Sequence, residues 1–481
     1  MNRVCRLSIT SFLLIAALVG TLNGCSLHKP VRIEPRQPVP QEFSSLSRLT
    51  VGKTSFDSLT PWWKSFGNKQ LDRLIEQGLR ENLDIKAGIA RLLQARALVK
   101  AARSSYFPSL SAEYQISRTK QPGYFGQDVG TNYRMSVAAS YELDLWRRIA
   151  SGVKAARFEQ MASEQDLLTL YMGTSAQVAE LYFFICAKHK EKKLTKEEIE
   201  ALEIQLSISV DQYQQGLVEA DEVLEARNEL AKKRALNTQI EQDEEKARYA
   251  LSILIGRYPE YPFPFTISPV PPLEKSFPAG ISAAVIQNRP DVRAAYLRIK
   301  ASDARVAQAI ADLFPTANLM AQFGRSSTAI SIGKIVGSFW SVAFSAAMSV
   351  FDAGKRSAEV QRARAKTMEA MALYHKTILQ AFKEVEDALM DNWAARELIS
   401  ELEKEQRAYE ELYELAMDRY VSGLSDYLPV IKSKVGLIEL QRQLVIARYQ
   451  AISSRISLYR CLGGVWMRPY LNRSLRGLKN G

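Results

Sequence analysis

The side chains able to do covalent or metal chemistry in this chain are few and scattered. There are three histidines, His28, His189 and His375, mutually distant in sequence. There are four cysteines, Cys5, Cys25, Cys186 and Cys461, and no two of them have the close spacing of a zinc or redox motif. No His-Glu-x-x-His, no Gly-x-Ser-x-Gly and no phosphate-cradling glycine loop occurs. No catalytic, metal or cofactor site is therefore expected, and the chain is not expected to be an enzyme. The net charge is +12, with Lys and Arg spread along helical segments among many Glu. Nucleic-acid binding would need them gathered on one element with aromatics between them, so that class is not expected either.

One cysteine stands in an ordered context. Arg3 and Arg6 open the chain, Phe12–Gly20 is an apolar run too short to cross a bilayer as a helix, and Leu22-Asn23-Gly24-Cys25 follows. This order resembles the bacterial lipobox, which is cleaved before a Cys that carries the lipid. Residues 1–24 then form a lipoprotein signal peptide and Cys25 is the lipidation site. An ordinary signal peptide with an incidental Cys is the alternative. Ser26, where Asp would mark inner-membrane retention, implies sorting to the outer membrane. For Cys186 and Cys461 a disulfide stays open, with buried free thiols the expectation.

The elements that position everything else come twice. Phe107-Pro108-Ser109-Leu110 returns as Phe314-Pro315-Thr316-Ala317, an offset of 314 − 107 = 207. Asn82 and Asp84 return as Asn288 and Asp291, and Asp144 before Arg147-Arg148 returns as Asp352 before Lys355-Arg356. Tyr213 with Gly216-Leu217 returns as Tyr420 with Gly423-Leu424, and Ile255-Gly256 as Leu462-Gly463. A register held over so long a span marks an internal duplication. Each half reads helix, strand, strand, very long helix, turn, helix. The expected organisation is a signal peptide (1–24), an extended Pro-rich tether (25–66), a first repeat (67–256), a Pro-rich hinge (257–282), a second repeat (283–466) and a poorly ordered basic tail (467–481).

Within each repeat the pattern changes from period two to helical. A helix is expected from Lys69 to about Tyr106, stopped by Pro108. Ser111–Thr119 and Tyr133–Leu145 alternate apolar and polar residues, as do Ala317–Phe323 and Phe339–Phe351. Loops are expected over Gln121–Asn132 and around Gly333 and Gly337. Long helices follow from Arg148 to about Tyr213 and from Lys355 to about Tyr420, and return helices run from Ala220 and from Ser425. Ala381, Ala388, Ala395 and Leu402 fall seven apart, a coiled-coil-like seam. Four strands with one apolar face cannot close in lipid, where an open edge leaves backbone groups unsatisfied. Several copies must then share one barrel. A soluble β-sandwich, a coiled-coil scaffold without a barrel and a periplasmic enzyme are the competing readings.

The chain resembles the TolC/OprM family of outer membrane efflux proteins, most of all its lipoprotein branch, the NodT-like outer membrane factors of RND multidrug pumps. The residues that carry this are Trp62-Trp63-Lys64-Ser65-Phe66 with Leu71-Asp72, Asn82-Leu83-Asp84-Ile85, Tyr141-Glu142-Leu143-Asp144-Leu145-Trp146, Asn288-Arg289-Pro290-Asp291-Val292, Phe351-Asp352-Ala353-Gly354, Arg419-Tyr420 with Gly423-Leu424, and Leu462-Gly463-Gly464. Two positions depart from the family pattern: Arg147 and Val465 stand where the family has Gly. The resemblance implies an α+β membrane protein, a homotrimer with a twelve-stranded outer-membrane β-barrel, four strands per chain, continued by a long helical periplasmic barrel. It implies passive exit of drugs or other small molecules, energised by an RND-type inner-membrane pump through a periplasmic adaptor. The alternative is the duct of a type I protein secretion system or of a dedicated metabolite or metal exporter. Gly216, Leu217, Gly423 and Leu424 match family turns that meet the adaptor, and Asp418 with Arg419 and Tyr420 matches the periplasmic aperture. No cofactor is implied beyond the lipid on Cys25.

Overall fold

The computed structural model describes residues 27–32, 40, 43–45, 51–55, 60–123, 126–259, 277–279, 283–330, 333–463 and 466–477. Cys25, the expected signal peptide, most of the expected Pro-rich hinge and Gly464-Val465 lie outside them. In chain order the elements are β1 (Val51–Ser55), α1 (Lys69–Glu81), α2 (Leu83–Ser104), β2 (Ser109–Gly123), β3 (Gly126–Leu143), α3 (Arg148–Gln214), α4 (Ala220–Leu254) and β4 (Phe277–Ala279). The second repeat continues with α5 (Pro290–Ala311), β5 (Thr316–Ile330), β6 (Gly333–Ala347), α6 (Lys355–Val421), α7 (Leu428–Leu462) and α8 (Arg468–Gly477). Short 3-10 turns occupy Trp62–Phe66 and Ala283–Asn288. The chain divides into two compact units. One is built on Arg91–Glu164 and Ala294–His375, the other on Pro35–Ala90, Gln165–Arg293 and Lys376–Gly481.

The first unit holds a four-stranded antiparallel sheet in the order β2-β3-β5-β6. Its strands are longer than the alternation predicts. β2 runs through Gly123 and β3 resumes at Gly126, inside the expected loop, and Gly333 and Gly337 belong to β6, with Gly337 opposite Ser326. The reason is that backbone pairing needs no side-chain pattern. Once polar and glycine residues replace the apolar ones, the alternation signal ends while the hydrogen-bonded ladder continues.

Each strand pair enters its long helix through a tight turn. Both carboxylate oxygens of Asp144 accept hydrogen bonds from amides at the start of α3, Ile149 N at 2.9 Å and Ala150 N at 2.8 Å. These amides have no partner within the helix, so Asp144 caps it. Arg148 donates to Glu142 at 2.9 and 2.6 Å. The Trp146 indole N–H donates to Pro315 O at 2.9 Å and its ring lies 5.0 Å from Phe314, joining the two repeats. Arg147 makes the turn with φ of 58°, and its equivalent 207 positions on, Gly354, has φ of 85°. The missing glycine has thus left an arginine in the left-handed region.

The second unit is helical. Asn68 Oδ1 accepts from Gln70 N and Leu71 N at 3.0 Å, capping α1, whose Leu71, Leu74, Ile75 and Leu79 are buried. The single helix expected from Lys69 to Tyr106 is broken at Asn82. There the side chain accepts from Ile85 N at 3.1 Å and donates to Leu254 O at 3.1 Å. Trp63 is fully buried, with Trp466 edge-on at 4.7 Å, and Trp62 stacks on Tyr459 at 5.6 Å. Trp466, Met467 and Leu471 are buried too. The segment after Trp466, expected to be poorly ordered, contains the helix α8. Its arginines disguise an apolar stripe that closes over the tryptophans. Cys186 and Cys461 are buried, and neither is joined in a disulfide.

The described parts of the expected tether are fastened. In the first unit, Asp303 Oδ1 lies 2.7 Å from His28 Nε2 and accepts from Val31 N at 3.2 Å. In the second, Glu386 accepts from Ser44 N at 2.7 Å and Ser45 N at 3.1 Å, and Phe43 lies 5.5 Å from Phe382. β1 pairs in parallel with β4. Composition reports that these residues cannot make a core of their own, not that they lack partners.

Helices α3, α4 and α7 share a buried charge layer. Lys233 Nζ lies 2.8 Å from both Glu198 and Glu439, and Arg442 lies 3.1 Å from Glu191. Burial raises the Glu439 carboxyl, but its bonds to Arg442 and Lys233 outweigh that and hold it down to about 2. In α6 the predicted seam is buried: Ala381, Ala388, Ala395 and Leu402, with Val385 and Leu389 beside them. Leu402 packs with Leu440, Leu444 and Ala447 of α7.

The turn before α3 yields a prediction. A left-handed conformation costs a residue with a Cβ about 1–2 kcal/mol, and glycine gives back roughly 0.4–1 kcal/mol through its freer unfolded state. Arg147→Gly should therefore stabilise the protein by roughly 0.5–1 kcal/mol. The measurement is the heat-dissociation midpoint of the detergent-solubilised protein; a midpoint below wild type contradicts the strain at this turn.

Candidate functional site

The sheet has two chemically distinct faces, because its register places like with like. On one face lie Tyr114, Ile116, Met135, Val137, Phe323, Trp340, Val342 and Phe344, all exposed. An exposed apolar surface of this extent calls for a lipid or protein cover. The opposite face carries Glu113, Gln115, Asn132, Arg134, Ser136, Gln322 and Thr328, tied by Arg134 to Gln322 at 3.2 Å, Gln322 to Ser136 at 3.0 Å and Thr328 to Asn132 at 3.2 Å. Phe339 is the aromatic exception on this face. Its ring lies across β5 with the Arg134 guanidinium 4.5 Å from its centre. Gly324 makes room, since a Cβ there would stand 2.7 Å from the Phe339 ring and 2.9 Å from Ser136 Cβ.

In the helical unit, both long helices end in the same turn. Leu217 N donates to Gln212 O at 2.9 Å and Gly216 N to Tyr213 O at 3.0 Å. Leu424 N donates to Arg419 O at 2.9 Å and Gly423 N to Tyr420 O at 2.9 Å. This double closure is the Schellman motif, which needs a left-handed residue. Gly216 and Gly423 have φ of 72° and 70°. A Schellman turn commonly folds its next side chain back onto the helix. Here the facing residues, Gln212 and Arg419, are polar, and Leu217 and Leu424 remain 68% and 79% exposed. Helix termination explains the glycines and leaves the leucines unexplained.

Asp418, Arg419 and Tyr420 form the last turn of α6. Asp418 is exposed. The Tyr420 ring lies 4.8 Å from Tyr427 across the turn. Arg419 borders a groove of about 450 Å³ between α6 and α7, lined also by Tyr409, Leu412, Ser425 and Lys432. Gln212 Nε2 donates to Asp426 at 3.3 Å, linking the two turns. Tyr427, Asp426 and Gln212 were not among the residues singled out from sequence. They sit outside the repeated motif and touch across turns, where no helical spacing reports them. Among the described residues no cluster of His, Cys, Asp and Glu could hold a metal, and no helix is long and apolar enough to cross a membrane.

Comparison with known proteins agrees with this geometry. The family model described as outer membrane efflux protein matches residues 74–257 and again 281–464. The chain is 27% identical to the probable outer membrane lipoprotein SilC of Salmonella typhimurium over 462 residues, covering 95% of this chain and 99% of that protein. It is 29% identical to the outer membrane protein OprJ of Pseudomonas aeruginosa over 469 residues, covering 95% of each. A solved structure of the outer-membrane channel OprN superposes with a TM-score of 0.81 at 26% identity, covering 92% of this chain and 100% of that one. The fold is that of a trimeric outer-membrane channel: a mostly helical chain built of two repeats, with one four-stranded antiparallel sheet. The chain belongs to the outer membrane efflux protein family.

Proposed function

We propose that this protein is the passive outer-membrane duct of a tripartite efflux system of the drug-exporting type. It meets a periplasmic adaptor at its two hairpin turns and is energised by an RND-type inner-membrane pump. The observation that carries this reading is the repeated run of an apolar hairpin directly into a 67-residue helix, in both halves of the chain. At 1.5 Å per residue each helix is about 100 Å long, a length that conveys cargo and that no small-molecule site needs. The chain makes and breaks no bond and needs no cofactor. Cys25 carries a lipid that adds a membrane anchor to that of the barrel.

The exposed leucines support the docking role. Each offers an apolar knob on a rigid, glycine-fixed turn, beside Gly216 and Gly423. At the end of α6, three symmetric copies of Asp418, Arg419 and Tyr420 bring three carboxylates to one axis. They favour cations there and narrow the periplasmic aperture.

A strain lacking the gene, compared with the same strain complemented, should retain more of several unrelated amphiphilic dyes and antibiotics. Unchanged retention of the whole panel would replace the multidrug reading with a duct dedicated to one metabolite, metal or protein. The complementing protein should incorporate a fatty-acid probe, and Cys25→Ser should not. Combined Leu217→Asp and Leu424→Asp should abolish adaptor cross-linking and restore dye retention without altering the amount of trimer; persistent cross-linking ends the docking role. Asp418→Ala should raise single-channel conductance or lower cation selectivity, and a channel unchanged in both removes Asp418 from the aperture.

A further inference from the structure

The two faces of the four-stranded sheet differ in charge as well as in polarity. Its strands carry the cations Arg118, Lys120, Arg134, Arg325 and Lys334. Arg134 is on the polar face, held by Gln322 and the Phe339 ring. The register puts the other four on the apolar face. Met135 stands opposite Arg325, Arg118 opposite Thr131 and Ala329 opposite Lys334, while Lys120, two residues beyond Arg118, shares its side. All four are exposed, and none has a hydrogen-bond or ion-pair partner among the described residues. Among those residues no Asp or Glu stands on this face; Glu113 and Glu142 are on the other.

Three of these cations sit at one end of the face, just beyond its apolar part. Near the helices the face begins with Leu143, opposite Ala317, and Tyr133 is the last aromatic of β3 before the cations. The separation is 143 − 133 = 10 residues, or about 34 Å along the strand. At the tilt of membrane strands this is a rise of about 26 Å, close to the apolar band of about 25 Å that such barrels present. The next row across the sheet is Arg118, Thr131, Ala329 and Lys334, and Lys120 follows. Arg325 lies two rows deeper, where a long stem covers apolar surface while its charged head reaches the polar layer. The protein lies in the outer membrane with its helices on the periplasmic side. The cationic end of the sheet, opposite the helices, is therefore at the level of the outer leaflet.

Solvation alone does not produce this segregation. At the level of Arg118 the polar face carries Ser117, Thr119, Asn132 and Thr328, none of them ionisable. Both faces meet water or headgroups there, yet the cations are on one only. A cation on the lipid side costs little near the interface and much at the midplane, so the position is tolerated, and a counter-charge in the leaflet gives it a use.

We propose that these four side chains bind the phosphate groups of lipid A, the phosphorylated glycolipid of the outer leaflet. Arg118 and Lys120 are about 6.8 Å apart on one strand face, close enough to hold one phosphate between a guanidinium fork and an ammonium. Lys334 stands three strand spacings from Arg118, about 14 Å, and meets a second phosphate. A headgroup phosphorylated at two separated points is thus matched at both. The phospholipids of the inner leaflet lie at the other end of the sheet, and a phosphate-bearing cargo would meet the polar face instead.

The inference rests on the outer-membrane location and not on any cargo or pump. Delipidated full-length protein in detergent micelles is titrated with radiolabelled bisphosphorylated lipid A, with the same lipid after enzymatic removal of its phosphates, and with phosphatidylglycerol; bound lipid is counted after gel filtration. The wild type should bind the phosphorylated lipid A at least about tenfold more tightly than the dephosphorylated form, and each cation removed should cost roughly fivefold. The fourfold variant Arg118→Gln, Lys120→Gln, Arg325→Gln, Lys334→Gln should bind both forms alike. Arg118→Lys with Lys120→Arg should bind as the wild type does. Should the fourfold variant fail to assemble, Lys334→Gln alone and Arg118→Gln with Lys120→Gln read the same contacts. Equal binding of the two lipid A forms by the wild type overturns the proposal, as does undiminished binding by the glutamine variants. Phosphatidylglycerol bound as tightly as lipid A, and released by the same substitutions, also overturns it, because the rows are then a surface for any anionic lipid.

Discussion

Backbone hydrogen bonding in a solvent that offers none is the constraint on which the rest of the structure depends. A strand in lipid must pair along its whole length, and one chain supplies only four, with β2 and β6 left at the edges. Closure therefore belongs to the assembly and not to the chain. The same constraint explains why the strands outrun their apolar pattern. β2 and β3 stay paired to Gly123 and Gly126, through residues with no apolar alternation, because stopping the ladder earlier would leave unpaired groups near the membrane surface.

The second requirement is to convert sheet into helix without losing register. It is met by local devices repeated at matching positions. A carboxylate, Asp144 or Asp352, accepts from amides of the turn or the helix start. A left-handed residue, Arg147 or Gly354, makes the bend. The first repeat also grips the second, through the Trp146 indole on Pro315. Farther along the helices, buried side-chain pairing takes over. The Lys233 ammonium bridges two carboxylates of neighbouring helices, a geometry that fixes their relative rotation more than it adds stability, since burying these charges offsets much of their attraction.

Much of this was legible in the sequence because duplication and periodicity are long-range signals. The two long helices, their glycine turns and the buried heptad row of α6 follow from spacing alone. What stayed hidden was local and depended on one atom or one partner. The break at Asn82 comes from a side-chain oxygen accepting from Ile85 N, which no hydropathy pattern contains. The helix α8 hides among Arg468, Arg473 and Arg476, because its buried face needs only a few apolar residues against Trp63. The fastening of the N-terminal segment hangs on two carboxylates, Asp303 and Glu386, far away in sequence. At the hairpin turns the glycines were legible as turn formers. The two leucines beside them were singled out as well; only the reason they stay exposed was hidden, because it depends on Gln212 and Arg419 offering them no apolar seat.

The matched lengths of the helices limit how such a chain changes over generations. α3 and α6 have 67 residues each, and α4 and α7 have 35 each. One residue inserted into α6 alone would rotate everything beyond it by about 100°, turning its buried alanine row outward. Seven residues would restore the face to within about 20°, but would carry one hairpin tip past the other. Length variants that keep both the buried faces and the paired tips are those in which all four helices gain or lose a heptad together. Lineages of this architecture are therefore expected to differ in helix length by sparse, concerted steps, while single-residue insertions collect in the hairpin loops of the sheet.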